Sequence, residues 1–376
     1  MRSYFQAILF LLIPLLLSSQ VPGNDWSLFR GKSDLSGSLR NELPSDPELL
    51  WSLSTGSKSQ SSPVISDGLL FFGNDKGTVF GVGADEKIVW TYNAGSPVTA
   101  PPLVYGDKVF FGTDNGSFIA LEKLTGKPAW TFKAGNQIAG SANIWIAGKK
   151  AGLVFGSYDY CLHCLDPVSG KEIWMLETEN YINGTPAISD NKIVFGGCDG
   201  FLREVDPLTG KQRDTINIGV YIAASPALSD QKAYFGDYDG NFYCIDMVKG
   251  KLAWKSGLSD GAGSIMSIPA TDGNIVIIGR EDKSLYCYDA ATGKLLWKYR
   301  TNGSIKGSAV MTPSKVLVGS SDGIIYMLSL KDGKKLWSFN AGSPVTSSPA
   351  VSGDRFYFLT EDGRLLAFGN KSAVKR

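Results

Sequence analysis

The chain has 376 residues, 43% of them hydrophobic and 19% charged, a balance that suits a folded globular protein of one large domain or two ordinary ones. Lys and Arg number 37 against 36 Asp and Glu, so overall charge makes no case for nucleic acid or an anionic membrane surface. A single histidine, His163, argues against a His-based metal centre and against a Ser-His-Asp triad.

The N-terminus reads as an export signal. Arg2 gives a positive start, "FQAILFLLIPLLL" (5–17) an apolar run, and "SSQVPG" a small and polar stretch for cleavage after Ser19 or Gly23. The run is short for a membrane span and Pro14 interrupts it. No Cys follows it directly, so lipid attachment there is not supported, and no comparable apolar run follows residue 24. Residues 1–23 are therefore expected to be a signal peptide and 24–48 an N-terminal extension. The mature protein should be soluble and exported, periplasmic or secreted, in a bacterium.

From there the chain repeats itself. "LLFFGNDKGTVFGV" (69–82) aligns with "KVFFGTDNGSFIAL" (108–121), "GLVFGSYDYCLHCL" (152–165), "KIVFGGCDGFLREV" (192–205) and "KAYFGDYDGNFYCI" (232–245). Three more follow: "NIVIIGREDKSLYCY" (274–288), "KVLVGSSDGIIYML" (315–328) and "RFYFLTEDGRLLAF" (355–368). A tryptophan recurs at 51, 90, 130, 174, 254, 297 and 337, with Asp214 in the one missing place, at intervals of 39 to 44 residues. A motif used at a fixed period is architecture before it is a site.

Within a unit every signal is β. Short runs of Val, Ile, Phe and Tyr are punctuated by Asp-Gly pairs such as Asp199-Gly200 and Asp322-Gly323, which are hairpin turns. A second turn, as in "YDAATGKLLW" (288–297), uses an Asp that bonds its own backbone and a left-handed Gly. Four strands fit a unit of this length, which predicts an all-β fold: an eight-bladed β-propeller of four-stranded antiparallel blades over 49–370, with 371–376 as a tail. Segments such as "VTAPP" (98–102) and "VTSSP" (345–349) are expected to be the innermost strands. Their third column reads Ser61, Ala100, Gly140, Gly184, Ala224, Ser267, Gly307 and Ser347, small in every unit as convergence on an axis requires. The last unit has no Trp strand, and Trp51 has no strands before it, so the N-terminal strand should complete the last blade.

These residues resemble the repeat of the pyrroloquinoline-quinone-type propeller family, with "YDAATGKLLW" similar to its tryptophan-docking motif and the likeness covering 49–368. The resemblance implies one of two branches. One holds quinone-dependent dehydrogenases that carry the quinone and a calcium ion. The other holds non-catalytic, BamB-like propellers that bind proteins. The chain lacks the adjacent cysteine pair of the first branch and its insertions. "CLHC" (161–164) does not match a haem-attachment motif. The favoured reading is a non-enzymatic scaffold, with no catalytic residue, no metal and no cofactor. Its expected partner is a protein or peptide, not nucleic acid, and it is expected to be a monomer.

Trp51, Trp90, Trp130, Trp174, Trp254, Trp297 and Trp337 are assigned to docking between blades. Cys164, Cys244 and Cys287 share one column with Ala120 and Ala367 and read as buried free thiols; a Cys161–Cys198 contact near adjacent turns is left open. Acids at the turns between second and third strands, among them Asp114, Asp159, Asp322 and Asp362, read as turn chemistry. Partner binding is placed on the face that carries those turns and the blade junctions. Tyr181, Asn183, Tyr221 and Lys306 lie near the axis and Asp239 and Asp282 on the turns. The opposite face carries the Gly-Lys turns, including Lys127, Lys171 and Lys294.

Overall fold

The computed structural model describes residues 26–257 and 263–371. The leader expected at 1–23 lies outside the described residues, as does the tail from 372 on. The strands form eight separate four-stranded antiparallel sheets. With each blade's strands named A to D from the axis outward, blades 1 to 7 run over residues 64–93, 103–133, 143–177, 187–217, 227–256, 270–300 and 310–340. Blade 8 combines residues 350–369 with the N-terminal strand Glu48–Ser54.

Strands B and C are buried along almost their whole length, as in Lys108–Gly112 and Cys161–Leu165, because a neighbouring blade covers each face. That explains their continuous apolar runs. Outer strands such as Pro128–Lys133 and Lys335–Asn340 alternate between exposed and half-buried positions, since only one face is covered. Ring closure is as expected: Trp51 pairs with Ala367 and Leu53 with Leu365, so blade 8 is built from both ends of the chain.

One expectation needs correcting. The segments taken for innermost strands are not strands. The A strands begin a few residues later, at Val64, Leu103, Asn143, Ala187, Ala227, Ala270, Val310 and Ala350. In six blades a proline stands immediately before, for example Pro102 and Pro349, and it has no N–H for a ladder. The small column and the residue after it in each unit form a collar instead. Backbone N–H groups of Thr185, Ile268, Ser308 and Ser348 donate to the hydroxyls of Ser225, Ser308, Ser348 and Ser62 in the next blade, at 2.7–2.9 Å. The blades meet so closely that a Cβ on Gly140 would stand 2.7 Å from the carbonyl oxygen of Gly184.

The tryptophans staple each blade to the next. The indole N–H groups of Trp51, Trp90, Trp130, Trp174, Trp254 and Trp297 donate to the carbonyls of Ala84, Lys123, Pro167, Pro207, Ala290 and Leu330. The ring lies on the glycine of the following turn: a Cβ on Gly126, Gly293 or Gly333 would come 2.6 Å from Trp90, Trp254 or Trp297. Trp337 packs on edge against Phe356 and Phe368. Every outer strand carries a β-bulge one residue before this position, for example between Pro128 and Trp130, which turns the side chain toward the next blade. At the exception, Asp214 faces Gly250. Beside that seam lie a Lys192–Glu204 ion pair at 3.0 Å and a cavity of about 180 Å³ lined in part by Val194, Leu228 and Met247.

The N-terminal extension is part of the ring. Each A strand has a free edge toward the axis, and its N–H groups need acceptors. The carbonyls of Trp26, Ser27, Ser33, Asp34, Ser36 and Gly37 receive N–H donors from Ile65, Val104, Ile188, Leu228, Thr271 and Met311 at 2.7–3.0 Å. The segment thus visits blades 1, 2, 4, 5, 6 and 7 in turn, and the Asn143 amide ties blade 3 to Ser33. Arg30, 1% exposed, reaches across the axis and donates to the carbonyls of Ala309 and Pro269. Burial pulls its pKa below the ordinary guanidinium range, and Asp34 opposes that shift. Gly31 and Gly37 have φ of 77° and 58°, and a Cβ on either would strike Trp26 or Arg30.

Candidate binding site: a cup on the ring axis

The N-terminal segment meets the A strands beside the A–B turns, so it crosses the face that also carries the C–D turns, the lower face. The upper face carries the B–C turns and the junctions between blades. Phe29 from the crossing segment lines a cavity of about 550 Å³ on the axis, together with Gln60, Thr99, Asp114, Asn183 and Lys306. A second space of about 640 Å³ shares Gln60, Met266, Lys306 and Thr346 with it and adds Tyr238, Glu281 and Glu361. Together they make a cup whose wide end is on the upper face.

The rim is set by one backbone rule. In each blade the third residue of the B–C turn region donates its N–H to a carbonyl of the junction beside it. The donors are Asp75, Asp114, Tyr158, Cys198, Tyr238, Glu281, Ser321 and Glu361, and the acceptors run from Lys58 round to Pro344, at 2.8–3.3 Å. The rim therefore has two unlike arcs. From Glu281 through Glu361 and Asp75 to Asp114 it is acidic apart from Ser321; from Tyr158 to Tyr238 it is aromatic apart from Cys198, whose N–H is held by the carbonyl of Tyr181.

The acidic arc holds more charge than it balances. Lys306, half-exposed, stands 3.7 Å from Glu281, whose other oxygen accepts from Ser264. Asp114 accepts from Thr99 and Gln137. Burial raises the Asp75 pKa, and Asp114 and Glu361 add to the shift, while Gln60 and Lys58 oppose it. The buried Oδ1 of Asp75 has no hydrogen-bond partner.

In the aromatic arc Tyr181 stacks on Tyr158 with centroids 4.6 Å apart and lies 5.2 Å from Tyr160. The Tyr158 hydroxyl donates to Asn183, whose amide donates to the carbonyl of Ala223 in the next blade. Tyr221 and Tyr238 are each 57% exposed and are joined through backbone. Tyr160 has a φ of 74° and stands where most blades have glycine.

Of the residues singled out from sequence, the structure gathers Tyr181, Asn183, Tyr221 and Lys306 about the cup and its rim. Asp239 is exposed next to Tyr238. Asp282 is turned into its own blade, where it accepts from the Tyr286 hydroxyl and meets Lys298 at 3.5 Å. The reading missed Asp75, Tyr158, Tyr160, Tyr238 and Phe29. The aligned column of third turn residues carries most of them, but it means nothing until the junctions are known to bond it.

Asp159, Cys161 and His163 bring possible metal-binding atoms within 4.8 Å of one another. The repeat accounts for this geometry. A turn acid accepts a turn N–H with one oxygen and bonds the side chain four residues on with the other. The pairs are Asp159–His163 at 3.1 Å, Asp199–Arg203 at 2.7 Å and Asp322–Tyr326 at 2.8 Å. His163 is the blade 3 version, also facing Glu172 at 2.7 Å and packed between Phe132 and Phe155. All five cysteines are free, Cys161 and Cys198 included, and burial pushes the Cys161 thiol up to about 11 and those of Cys164 and Cys287 up to about 12.

A quinone fits this cup poorly. Pyrroloquinoline quinone is a polycarboxylate, whereas Asp114, Glu281 and Glu361 line the cup with Asp75 at its rim, and Lys306 already faces Glu281. No catalytic step is derived through such a group.

Among solved structures the fold resembles BamB from Moraxella catarrhalis, with a TM-score of 0.75 and 22% identity over 86% of this chain and 100% of that one. It also resembles a europium-containing methanol dehydrogenase, with a TM-score of 0.80 and 14% identity over 92% of this chain and 98% of that one. The quinohemoprotein alcohol dehydrogenase of Comamonas testosteroni gives a TM-score of 0.79 and 14% identity, covering 92% and 80%. At these identities the likeness is one of fold. No curated protein matches the chain. Among the described residues no helix is long and apolar enough to cross a membrane. The model of the family described as "Outer membrane protein assembly factor BamB" matches residues 43–256 and 239–373, nearly all of the propeller, and the chain belongs to that family.

Proposed function

We propose that this ring is an exported, non-enzymatic scaffold of the cell envelope that receives an extended segment of a partner protein in its cup, in keeping with the family's description as an assembly factor. The observation that carries the reading is the difference between the two ends of the axis. The lower end is crossed by residues 26–43 with Arg30 buried in it; the upper end opens between an acidic and a tyrosine arc. A basic side chain entering the cup meets Asp75, Asp114 and Glu361 and relieves their mutual repulsion. The flanking backbone lies along Tyr181, Tyr221 and Tyr238, aromatic faces that also favour cations. Asn183 and Lys306 offer hydrogen bonds at the wall. The reading includes no quinone, no metal and no nucleic acid, and takes the ring as a monomer.

Fluorescence anisotropy with extended peptides tests it. Lysine- or arginine-bearing peptides should bind, and glutamate versions should not. Asp114→Asn with Tyr221→Ala should weaken binding by about tenfold, equivalent to ~1.4 kcal/mol. Asp75→Asn should weaken binding yet raise the melting temperature, because it removes a repelled, partly buried charge. Lys127→Glu, Lys171→Glu and Lys294→Glu on the lower face should leave binding intact. Loss with the lysine variants and retention with the cup variants would place the partner on the other face. A protein that ignored all peptides but bound pyrroloquinoline quinone and calcium, read as a change in absorbance, would end the scaffold reading.

A further inference from the structure

The near-zero net charge conceals how charge and apolar surface are distributed. In four successive blades the C–D turn reads "LTGK", "VSGK", "LTGK" and "VKGK", at 124–127, 168–171, 208–211 and 248–251. Its first residue is an exposed aliphatic: Leu124 at 66%, Val168 at 75%, Leu208 at 43% and Val248 at 68%. Its last is an exposed lysine: Lys127, Lys171, Lys211 and Lys251. The turn itself does not require the aliphatic, since blades 6 and 7 have Ala291 and Lys331 in the same place.

The turn's own chemistry pushes these side chains outward. In three of the four blades an aspartate occupies itself with turn amides. Asp166 accepts from Val168 and Ser169, Asp206 from Leu208 and Thr209, and Asp246 from Val248 and Lys249, all at 2.7–3.1 Å. These carboxylates are folded under their turns, whose tips project an aliphatic side chain and a lysine, while the exposed acids Asp67, Asp85 and Asp107 of the same face stand in ion pairs with Lys123, Lys87 and Lys108.

Among the described residues, other exposed aliphatics follow the same side. Ile146 is near the end of the blade 3 A strand, next to its A–B turn, and Ile88, Val89, Ile173, Leu252, Leu295, Leu296 and Leu336 lie where outer strands leave the C–D turns. The upper face is different, exposing tyrosines and Met266.

We propose that the lower face is a membrane-surface dock: Leu124, Val168, Leu208 and Val248 enter the interfacial layer of an anionic bilayer while Lys127, Lys171, Lys211 and Lys251 meet its phosphates. Equivalent positions in successive blades of a closed ring lie in one plane, and a bilayer surface is a plane. The tips are separated by whole blades, with polar turn residues between them, so they form no groove for a peptide. Small apolar insertions combined with lysine–phosphate attraction are the ingredients of reversible surface binding. The described chain enters the ring on this same face, at Trp26, downstream of the apolar run 5–17. Docked this way, the cup faces away from the membrane.

The ring is built from residues 26–371, so the chain starting at residue 24 isolates this surface from the leader. It should sediment with phosphatidylglycerol vesicles at low salt, be released by high salt, and stay in solution with phosphatidylcholine vesicles. Leu124→Ser, Val168→Ser, Leu208→Ser and Val248→Ser together should lower vesicle affinity by about tenfold or more with little change in melting temperature, because all four side chains are exposed. Glutamate at the four lysines should abolish binding, and Tyr221→Ala should not affect it. If the quadruple variant folds poorly, the first two and last two serine changes are made separately. Three results overturn the proposal: no sedimentation of the unaltered chain with phosphatidylglycerol, undiminished binding by the serine variants, or ultracentrifugation showing that these residues pair two copies of the ring.

Discussion

The indole nitrogen of Trp297 donates to the carbonyl oxygen of Leu330 at 2.9 Å, and its ring covers Gly333 of the same neighbouring turn. One side chain thus joins blade 6 to blade 7 by a hydrogen bond and by packing. Trp297→Ala should cost about 3–5 kcal/mol, as for other large buried aromatics. At the seam between blades 4 and 5 the staple is missing, but its receptor, Gly250, remains. Asp214→Trp should raise the melting temperature there. Hydrogen exchange should show blades 4 and 5 opening most readily; uniform protection of all seams would contradict this account.

Removal of the lower cap should loosen the whole ring. Residues 26–43 supply carbonyls to the A strands of six blades, and Arg30 alone holds two more carbonyls from across the axis. Arg30→Ala should cost about 1–3 kcal/mol for each buried acceptor left bare. Deletion of 24–55, which also removes the outer strand of blade 8, should give aggregation. A deleted chain that stays monomeric with unchanged melting refutes both roles.

His163 should be replaceable by the residues that other blades use. His163→Arg and His163→Tyr can both reach Asp159, as Arg203 and Tyr326 reach Asp199 and Asp322. They should melt close to the unaltered protein. His163→Ala leaves buried carboxylate oxygen bare and should cost about 1–3 kcal/mol. A zinc-dependent rise in melting temperature, lost on His163→Arg, would show instead that the trio binds metal.

Stability should fall as pH rises above about 9. The thiols of Cys161 and Cys244 are raised to about 11, and those of Cys164 and Cys287 to about 12, from an ordinary value of 9.0, chiefly by burial. Between the ordinary and the raised values the folded chain holds protons that the unfolded chain has released, so stability declines with pH in that window. Below 9 both states are protonated and the effect vanishes. Cys164→Ala with Cys287→Ala should flatten the decline, measured by urea unfolding at a series of pH values.

The sequence by itself determined the architecture. Its period, the Asp-Gly and Gly-Lys turns and the all-small axial column each constrain local geometry, and together they set the blade number, the strands and the closure through Trp51. Much of the site depended on contacts between residues far apart in the chain. Tyr158 is an ordinary turn residue until the Gln137 carbonyl of the preceding junction holds it at the rim. The strands near the axis started later than the sequence suggested, because the blades there bond hydroxyl to backbone and prolines interrupt the ladder. The segment 26–37 carries no periodicity, so its use was hidden. Only the assembled ring presents inward-facing strand edges for its carbonyls to satisfy, and only that crossing turns an open axis into a cup with two different ends.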